Sequence, residues 1–380
     1  MEPSTLVVLF GSTALAALFA LVMVLSRKGR SEDEARAYLA GFTYVLSDDP
    51  DAAIAELSRA AQLNRQTLET YFALGALFRR NGELERAIRL HRNMLLRPGL
   101  SAEVRRKAQL ELALDYKKSG LQDLAAQTFH KLLSEDPSHK DALLHLRRLN
   151  ETAGEWAEAM KLQARLCKLD GKGDEVLAHL LAAAARSHLA SSPVEAAKLA
   201  ERAVAVWHDS ADAQLSLAEC RLAQGRPADA AGPLRRALAL EPELAPRYVP
   251  SLAAALGDAA QVEQFLQDQV KARDDEGAPF ELALALHDEA QGRADRAVDR
   301  LRSLVERHPR LWEARKQLGA LLLAQDRSEE LRADYREILG TLGQPPLGFA
   351  CVGCRQSLPE HLFRCPSCET WGSVRRQRSA

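Results

Sequence analysis

The sequence predicts an almost entirely α-helical chain, and three observations carry that reading. Alanine, leucine, arginine and glutamate dominate, all strong helix formers, while valine, isoleucine and threonine are sparse beyond the N-terminus. Small residues return at a spacing near 34 through most of the chain, the length of one stacked helix pair. The exception is a short C-terminal segment with four of the six cysteines, spaced C-x2-C-x10-C-x2-C. The expected architecture is an all-α superhelical solenoid, preceded by a transmembrane helix and closed by a small four-cysteine knuckle. With 51 basic against 52 acidic residues the net charge is −1, which gives no global reason to expect nucleic-acid binding.

Residues 6–25 (LVVLFGSTALAALFALVMVL) contain no charge. As a helix, twenty residues rise about 30 Å, the thickness of a bilayer's hydrocarbon core. A secretory signal peptide would carry Lys or Arg before the apolar run and small residues at a cleavage site. Here only Glu2 precedes the run, and it ends in VMVLSRKGR. The segment therefore reads as a membrane anchor. Arg27, Lys28 and Arg30 follow it, and positive flanks stay in the cytoplasm. Residues 1–5 are then extracytoplasmic, 26–33 form a basic juxtamembrane linker, and the remaining chain is cytoplasmic. In a bacterium this is a single-pass inner-membrane protein.

Residues 34–342 read as the repeat array. Gly41, Gly75, Ala113, Arg147, Ala185, Ala218, Ala285 and Gly319 share one register, with steps of 34, 38, 34, 38, 33, 67 and 34. Twelve residues after the first seven stand Ala53, Ala87, Ala125, Ala159, Ala197, Ala230 and Ala297. The double step implies a degenerate repeat at 245–278, in an array of about nine. This helix–turn–helix pattern resembles the tetratricopeptide repeat (TPR). Small residues sit where paired helices approach closely, and pairs such as Asn81–Gly82 and Ser119–Gly120 make the turns. Each pair buries its apolar face only by stacking on neighbours, which builds a groove lined by first-helix residues. By register the groove candidates include Phe42, Phe72, Arg79, Lys117 and Arg148. The resemblance implies protein–protein recognition.

At residues 349–374, Cys351, Cys354, Cys365 and Cys368 offer two C-x2-C knuckles to one tetrahedral ion. Disulfides are disfavoured, because cytoplasmic thiols are kept reduced. The knuckles are rubredoxin-like, and rubredoxin carries iron. Rubredoxin knuckles, however, usually place glycine after the second cysteine, where Arg355 and Glu369 stand here. Zinc as one structural staple is the first choice and iron the alternative. Some 25 residues cannot bury enough core to fold alone, so the ion supplies most of the folding free energy. Phe349, Leu362, Phe363 and Trp371 would support it, and if the knuckle also packs on the last repeats, it does so near Trp312 and Tyr335. Cys167 and Cys220 read as buried packing residues, and residues 375–380 as a basic tail.

No phosphate loop, zinc-protease helix or nucleophile elbow occurs, so no enzyme is expected. The order anchor, repeat array, knuckle is similar to that of the lipopolysaccharide assembly protein B family. The telling stretches are residues 71–92 (YFALGALFRRNGELERAIRLHR) and 365–371 (CPSCETW). The resemblance implies an inner-membrane adaptor of Gram-negative bacteria. Such an adaptor helps the membrane protease FtsH degrade the deacetylase LpxC of the lipid A pathway, which sets the level of lipopolysaccharide. It also implies that the four cysteines bind metal. A non-proteolytic scaffold for envelope-biosynthesis enzymes is the alternative, an electron carrier would need iron, and a homodimer stays open.

Overall fold

The computed structural model describes residues 33, 36–37, 39–41, 43–44, 50–63, 68–171, 174–341 and 348–377. The expected membrane span at 6–25, its flanks at 1–5 and 26–32, the groove candidate Phe42 and residues 378–380 lie outside them. Among the described residues no helix is long and apolar enough to cross a membrane.

The chain divides into two compact units, residues 1–149 and 150–380. The first holds α1 (Pro50–Leu63), α2 (Leu68–Arg80), α3 (Leu84–Leu95), α4 (Ala102–Lys118), α5 (Gln122–Glu135) and the first part of α6 (Lys140–Ala153). The second continues with α7 (Trp156–Asp170), α8 (Asp174–His188), α9 (Pro193–Val206), α10 (Ala211–Ala223) and α11 (Pro227–Leu240). Then come α12 (Ala245–Leu256), α13 (Ala259–Lys271), α14 (Ala278–Ala290), α15 (Ala294–Arg307), α16 (Trp312–Ala324) and α17 (Ser328–Thr341). From α2 onward they read as first and second helices of successive hairpins. Three short strands follow: β1 (Phe349–Cys351), β2 (Ser357–Leu358) and β3 (Val374–Arg376).

The register alanines explain the hairpins. Ala53, Ala87, Ala125, Ala159, Ala230 and Ala297 are each 0% exposed and Ala197 is 5% exposed, so no room remains for a longer side chain. Gly75 shows why the partner position can demand glycine, since a Cβ there would fall 2.3 Å from the buried His91 imidazole. His91 Nδ1 lies 2.6 Å from Asp115 Oδ2, which fixes the ring. The inter-helix turns use left-handed backbone at Gly82, Gly120, Gly154, Gly225 and Gly292. Asp326 takes that place between α16 and α17, at φ 56°. The degenerate repeat is the α12–α13 hairpin. There Val262 and Leu266 are buried in place of a register alanine.

This packing separates two substitutions in one hairpin. Ala87→Leu in α3 is expected to destabilise the N-terminal unit by about 1–3 kcal/mol, the usual cost of overpacking. Ala76→Leu in α2 is expected to change little, because Ala76 is exposed. Denaturation midpoints measure the difference, and equal midpoints would refute the register.

In the C-terminal unit the core runs as apolar clusters along the hairpins, from Leu181 and Ala200 through Leu215, Leu234 and Phe280 to Leu301 and Leu318. The strands form an antiparallel sheet in the order β2-β1-β3. The third strand pairs Cys351 with Val374 and Phe349 with Arg376, so Arg375 and Arg376, expected in a basic tail, belong to the sheet. Backbone pairing on β1 supplied the partner that a charged segment does not advertise. Cys220 is buried as expected, but Cys167 is only half-buried and accepts a hydrogen bond from Gln163 at 3.3 Å.

Candidate metal centre and its docking face

The two knuckles repeat one set of hydrogen bonds. The amide of Arg355 donates to the Cys351 carbonyl (2.8 Å) and that of Glu369 to the Cys365 carbonyl (3.0 Å). The amide of Cys351 donates to Gln356 O (3.0 Å) and that of Cys365 to Thr370 O (2.9 Å). Within each turn, amides of Gly353 and Cys354 point at Cys351 Sγ, and those of Ser367 and Cys368 at Cys365 Sγ. The four sulfurs lie within 4.8 Å of one another. Two cross-knuckle separations are 3.6 Å (Cys351–Cys368) and 3.7 Å (Cys354–Cys365). A tetrahedral ion with metal–sulfur bonds near 2.3 Å needs sulfur–sulfur edges of about 3.8 Å. The cluster could hold such an ion.

Protonation fits this use. The Ser373 hydroxyl, 3.2 Å away, and the knuckle amides pull the Cys351 thiol down to about 6. The Thr370 hydroxyl lowers Cys368. At Cys365 the Cys368 amide favours the thiolate, but burial and hydrogen bonds shared with Cys354 and Cys368 prevail and push it up to about 11. Four thiolates this close repel, and a dication is what lets all four ionise together.

The residues that depart from the rubredoxin pattern sit where backbone geometry favours glycine. Arg355 has φ 61° and Glu369 φ 58°. The left-handed conformation costs a side-chain-bearing residue about 1–2 kcal/mol, partly offset by the greater chain entropy of glycine. Arg355→Gly is therefore expected to stabilise the knuckle by about 0.5–1 kcal/mol. Arg355→Ala keeps the strain and should gain nothing. Chelator titration of the knuckle fold compares them, and equal gains would show that the side chain, not the backbone, was at fault.

The knuckle packs on the first-helix side of its own unit. Trp371 stacks on His179 of α8, with ring centroids 5.0 Å apart and planes 14° apart. Phe363 leans on the same ring at 6.2 Å and joins the apolar cluster of Leu244, Val249 and Leu266. His179 Nδ1 is held 2.6 Å from Asp212 Oδ2 in α10, and Asp212 also meets Arg186 at 2.6 Å. Burial opposes the charge on Asp212, but Arg186 and His179 more than offset it and hold its carboxyl below the usual range. Glu151 of α6 receives Arg364 (2.9 Å) and the Trp371 indole (3.4 Å).

The basic edge of the sheet meets an acidic row. Arg376 pairs with Glu243 (2.6 Å) and reaches Glu313 at 3.5 Å, and Arg375 lies 3.5 Å from Glu241. Burial raises the carboxyls of Glu241 and Glu243. His361, wedged between Phe349 and Phe363, is pushed down to about 4 by burial and by Arg375. Packing on the last repeats would have placed the knuckle near Trp312 and Tyr335. Docking centres on Glu151, His179 and Glu241–Glu243 and in the last hairpin meets Glu313, the residue beside Trp312, while Tyr335 stays 60% exposed. Opposite charges and the His179–Trp371 stack pull the sheet toward the earlier hairpins.

The structure thus gathers all four cysteines. The groove candidates lie elsewhere, in the N-terminal unit. Phe72 is buried, stacked on His91 at 6.2 Å with the Lys107 ammonium above it. Arg79 is engaged by Glu111 and Asp115 at 2.7 Å each, and Lys117 and Arg148 are half-buried. Glu151, His179, Asp212, Glu241 and Glu243 went unnoticed in the sequence. Complementarity between those glutamates and the arginines flanking the knuckle was the available signal.

The family profile described as "Tetratricopeptide repeat" matches residues 110–174, 183–245 and 282–344, half of the chain. The chain is similar to the Lipopolysaccharide assembly protein B of Escherichia coli (strain K12), 28% identical over 361 residues and 92% of each chain. It is similar to the protein of the same name from Haemophilus influenzae, 25% identical over 90% of this chain and 89% of that one. A solved tetratricopeptide repeat protein from Parabacteroides merdae superposes with a TM-score of 0.40 at 14% identity, covering 72% of this chain and 93% of the other.

Proposed function

This chain belongs to the tetratricopeptide-repeat family, and on that premise we propose that it is a membrane-anchored, cytoplasm-facing adaptor in lipopolysaccharide assembly. It resembles lipopolysaccharide assembly protein B along nearly its whole length, and that likeness carries the proposal. Repeat hairpins bring no chemistry of their own and offer side-chain surfaces to protein partners. The partners proposed are the membrane protease FtsH and the deacetylase LpxC, with the repeats presenting the second to the first. One zinc ion held by Cys351, Cys354, Cys365 and Cys368 would be structural. Four protein thiolates complete a tetrahedral shell and leave no open position for substrate.

A deletion strain tests the adaptor reading. If the chain promotes proteolysis, the deacetylase accumulates when the gene is removed. If the chain only scaffolds biosynthetic enzymes, deacetylase abundance stays constant while lipopolysaccharide output falls. The anchor has its own test. A fragment lacking residues 1–26 is expected to fold, because the hairpins contain their own cores, yet to fail in the cell. Without the apolar segment it loses the effective concentration that a shared membrane provides. Full complementation at native expression would overturn the anchor's role.

A further inference from the structure

The four sulfurs are not equally protected. Cys351 and Cys365 are buried, Cys368 is half-buried and Cys354 is exposed. Cys351 has the Ser373 hydroxyl at 3.2 Å and Cys368 has the Thr370 hydroxyl at 3.4 Å. Cys354 Sγ has other cysteines as side-chain partners, Cys368 and, at 3.7 Å, Cys365 of the opposite knuckle. Val352, in the same turn, is 71% exposed, so the approach to Cys354 is open. Thiolate nucleophiles that solvent can reach, poised beside a second thiol, are the ones hydroperoxides oxidise.

We propose that Cys354 is a site of oxidation by hydroperoxides, with Cys365 as the resolving thiol, and that its oxidation undocks the knuckle from the His179 face. The inference rests on the reading that the cluster holds zinc. The Cys354 thiolate attacks one oxygen of hydrogen peroxide, the O–O bond breaks, and hydroxide leaves and is protonated by buffer acid. The Cys354 sulfenic acid is then attacked by the Cys365 thiolate. A disulfide forms, and a second hydroxide leaves and is protonated. In sum two thiolates, one hydrogen peroxide and two protons give one disulfide and two waters. The sulfurs need only close from 3.7 Å to about 2.0 Å.

Cys365 is the sulfur through which docking would be affected. Its neighbour Arg364 is the partner of Glu151 and bridges Trp371 in the backbone. The amide of Gly372, beside Trp371, donates to Phe363 O at 2.6 Å. The turn that presents Trp371 to His179 is therefore the one whose ligand is withdrawn. Losing two of its four ligands, the ion is released. The small sheet then loses its main source of folding free energy.

The test uses the full-length chain carrying Cys167→Ala and Cys220→Ala, with the unaltered chain mapped in parallel. Zinc content is measured first. Hydrogen peroxide is then added at up to about tenfold excess, a mild exposure for sulfenate formation. A chromogenic zinc chelator reports release, differential alkylation with peptide mapping locates the oxidised sulfurs, and hydrogen exchange follows residues 151, 179 and 241–243. We expect one zinc released for each two thiols lost, a Cys354–Cys365 crosslink as the main product, and loss of protection at the docking face. Thiol reductant plus zinc should restore it. A chain with no zinc before peroxide overturns both this inference and the metal reading. Zinc present and retained, or a main crosslink that joins other sulfurs, overturns this inference alone. So does an intact docking face after zinc release.

Discussion

Cys365→Ser is expected to release the metal ion and unfold residues 349–376, while the helical signal of the repeats stays nearly intact. Structural zinc supplies about 10–16 kcal/mol of apparent folding free energy in small zinc domains. The apolar support here, Phe349, Leu358 and Val374 with Leu362 beside them, is far too small to replace that. Two layers of consequence should be separable. Inside the knuckle, amide protection of β1 and β3 disappears. On the docking face, His179 loses Trp371, and Glu151, Glu241 and Glu243 lose their arginine partners, so exchange there accelerates. The hairpin cores away from the sheet should keep their stability, whereas the cluster of Leu244, Val249 and Leu266 loses Phe363 and should weaken. In the cell the variant should behave as a loss of function. Retained protection at Trp371 would show that the sheet holds without its fourth thiolate. Retained activity would separate the knuckle from the function.

Asp212→Ala is expected to destabilise the repeats by about 3 kcal/mol, because it breaks a buried pair, leaving Arg186 with Glu219 alone and the His179 ring without the carboxylate that fixes it. Asp212 is 0% exposed and serves both Arg186 and His179 at 2.6 Å. Its removal also frees the imidazole on which Trp371 stacks, so tryptophan fluorescence should change along with stability. Asp209→Ala is the control. That carboxylate is 60% exposed and pairs with Arg236, and water screens exposed pairs, so its loss should matter little. Similar losses for both would mean that burial does not decide the energetics. The pH dependence follows from the sign of the shift. The folded carboxyl of Asp212 lies below its unfolded value near 3.9. Its contribution is therefore complete above the unfolded value and lost as pH falls through the folded one. Acid unfolding of the parent should be steeper than that of the Asp212→Ala chain below about pH 4.

Much of this protein was legible before any coordinates. The hairpin repeat was written in alanines, because a close helix crossing tolerates only small side chains and so leaves a periodic trace. Each of the seven alanines in that register is buried. The cysteine spacing likewise announced two knuckles, since a four-ligand site must draw its thiols from short local turns. What periodicity could not convey is where the knuckle rests. Docking brings Trp371 to His179, Arg364 to Glu151 and Arg376 to Glu243, pairs separated by 133 or more residues in the chain. No local pattern encodes such a meeting. It follows from the stacking of successive hairpins, which sets glutamates from distant first helices and their connections into one acidic row. The third strand escaped for a related reason, because a short charged segment becomes a strand only when a partner edge is beside it. Local sterics and ligand spacing were thus set by the sequence alone. The docking face, the buried Asp212 network that supports it and the unequal exposure of the four sulfurs were decided by tertiary packing.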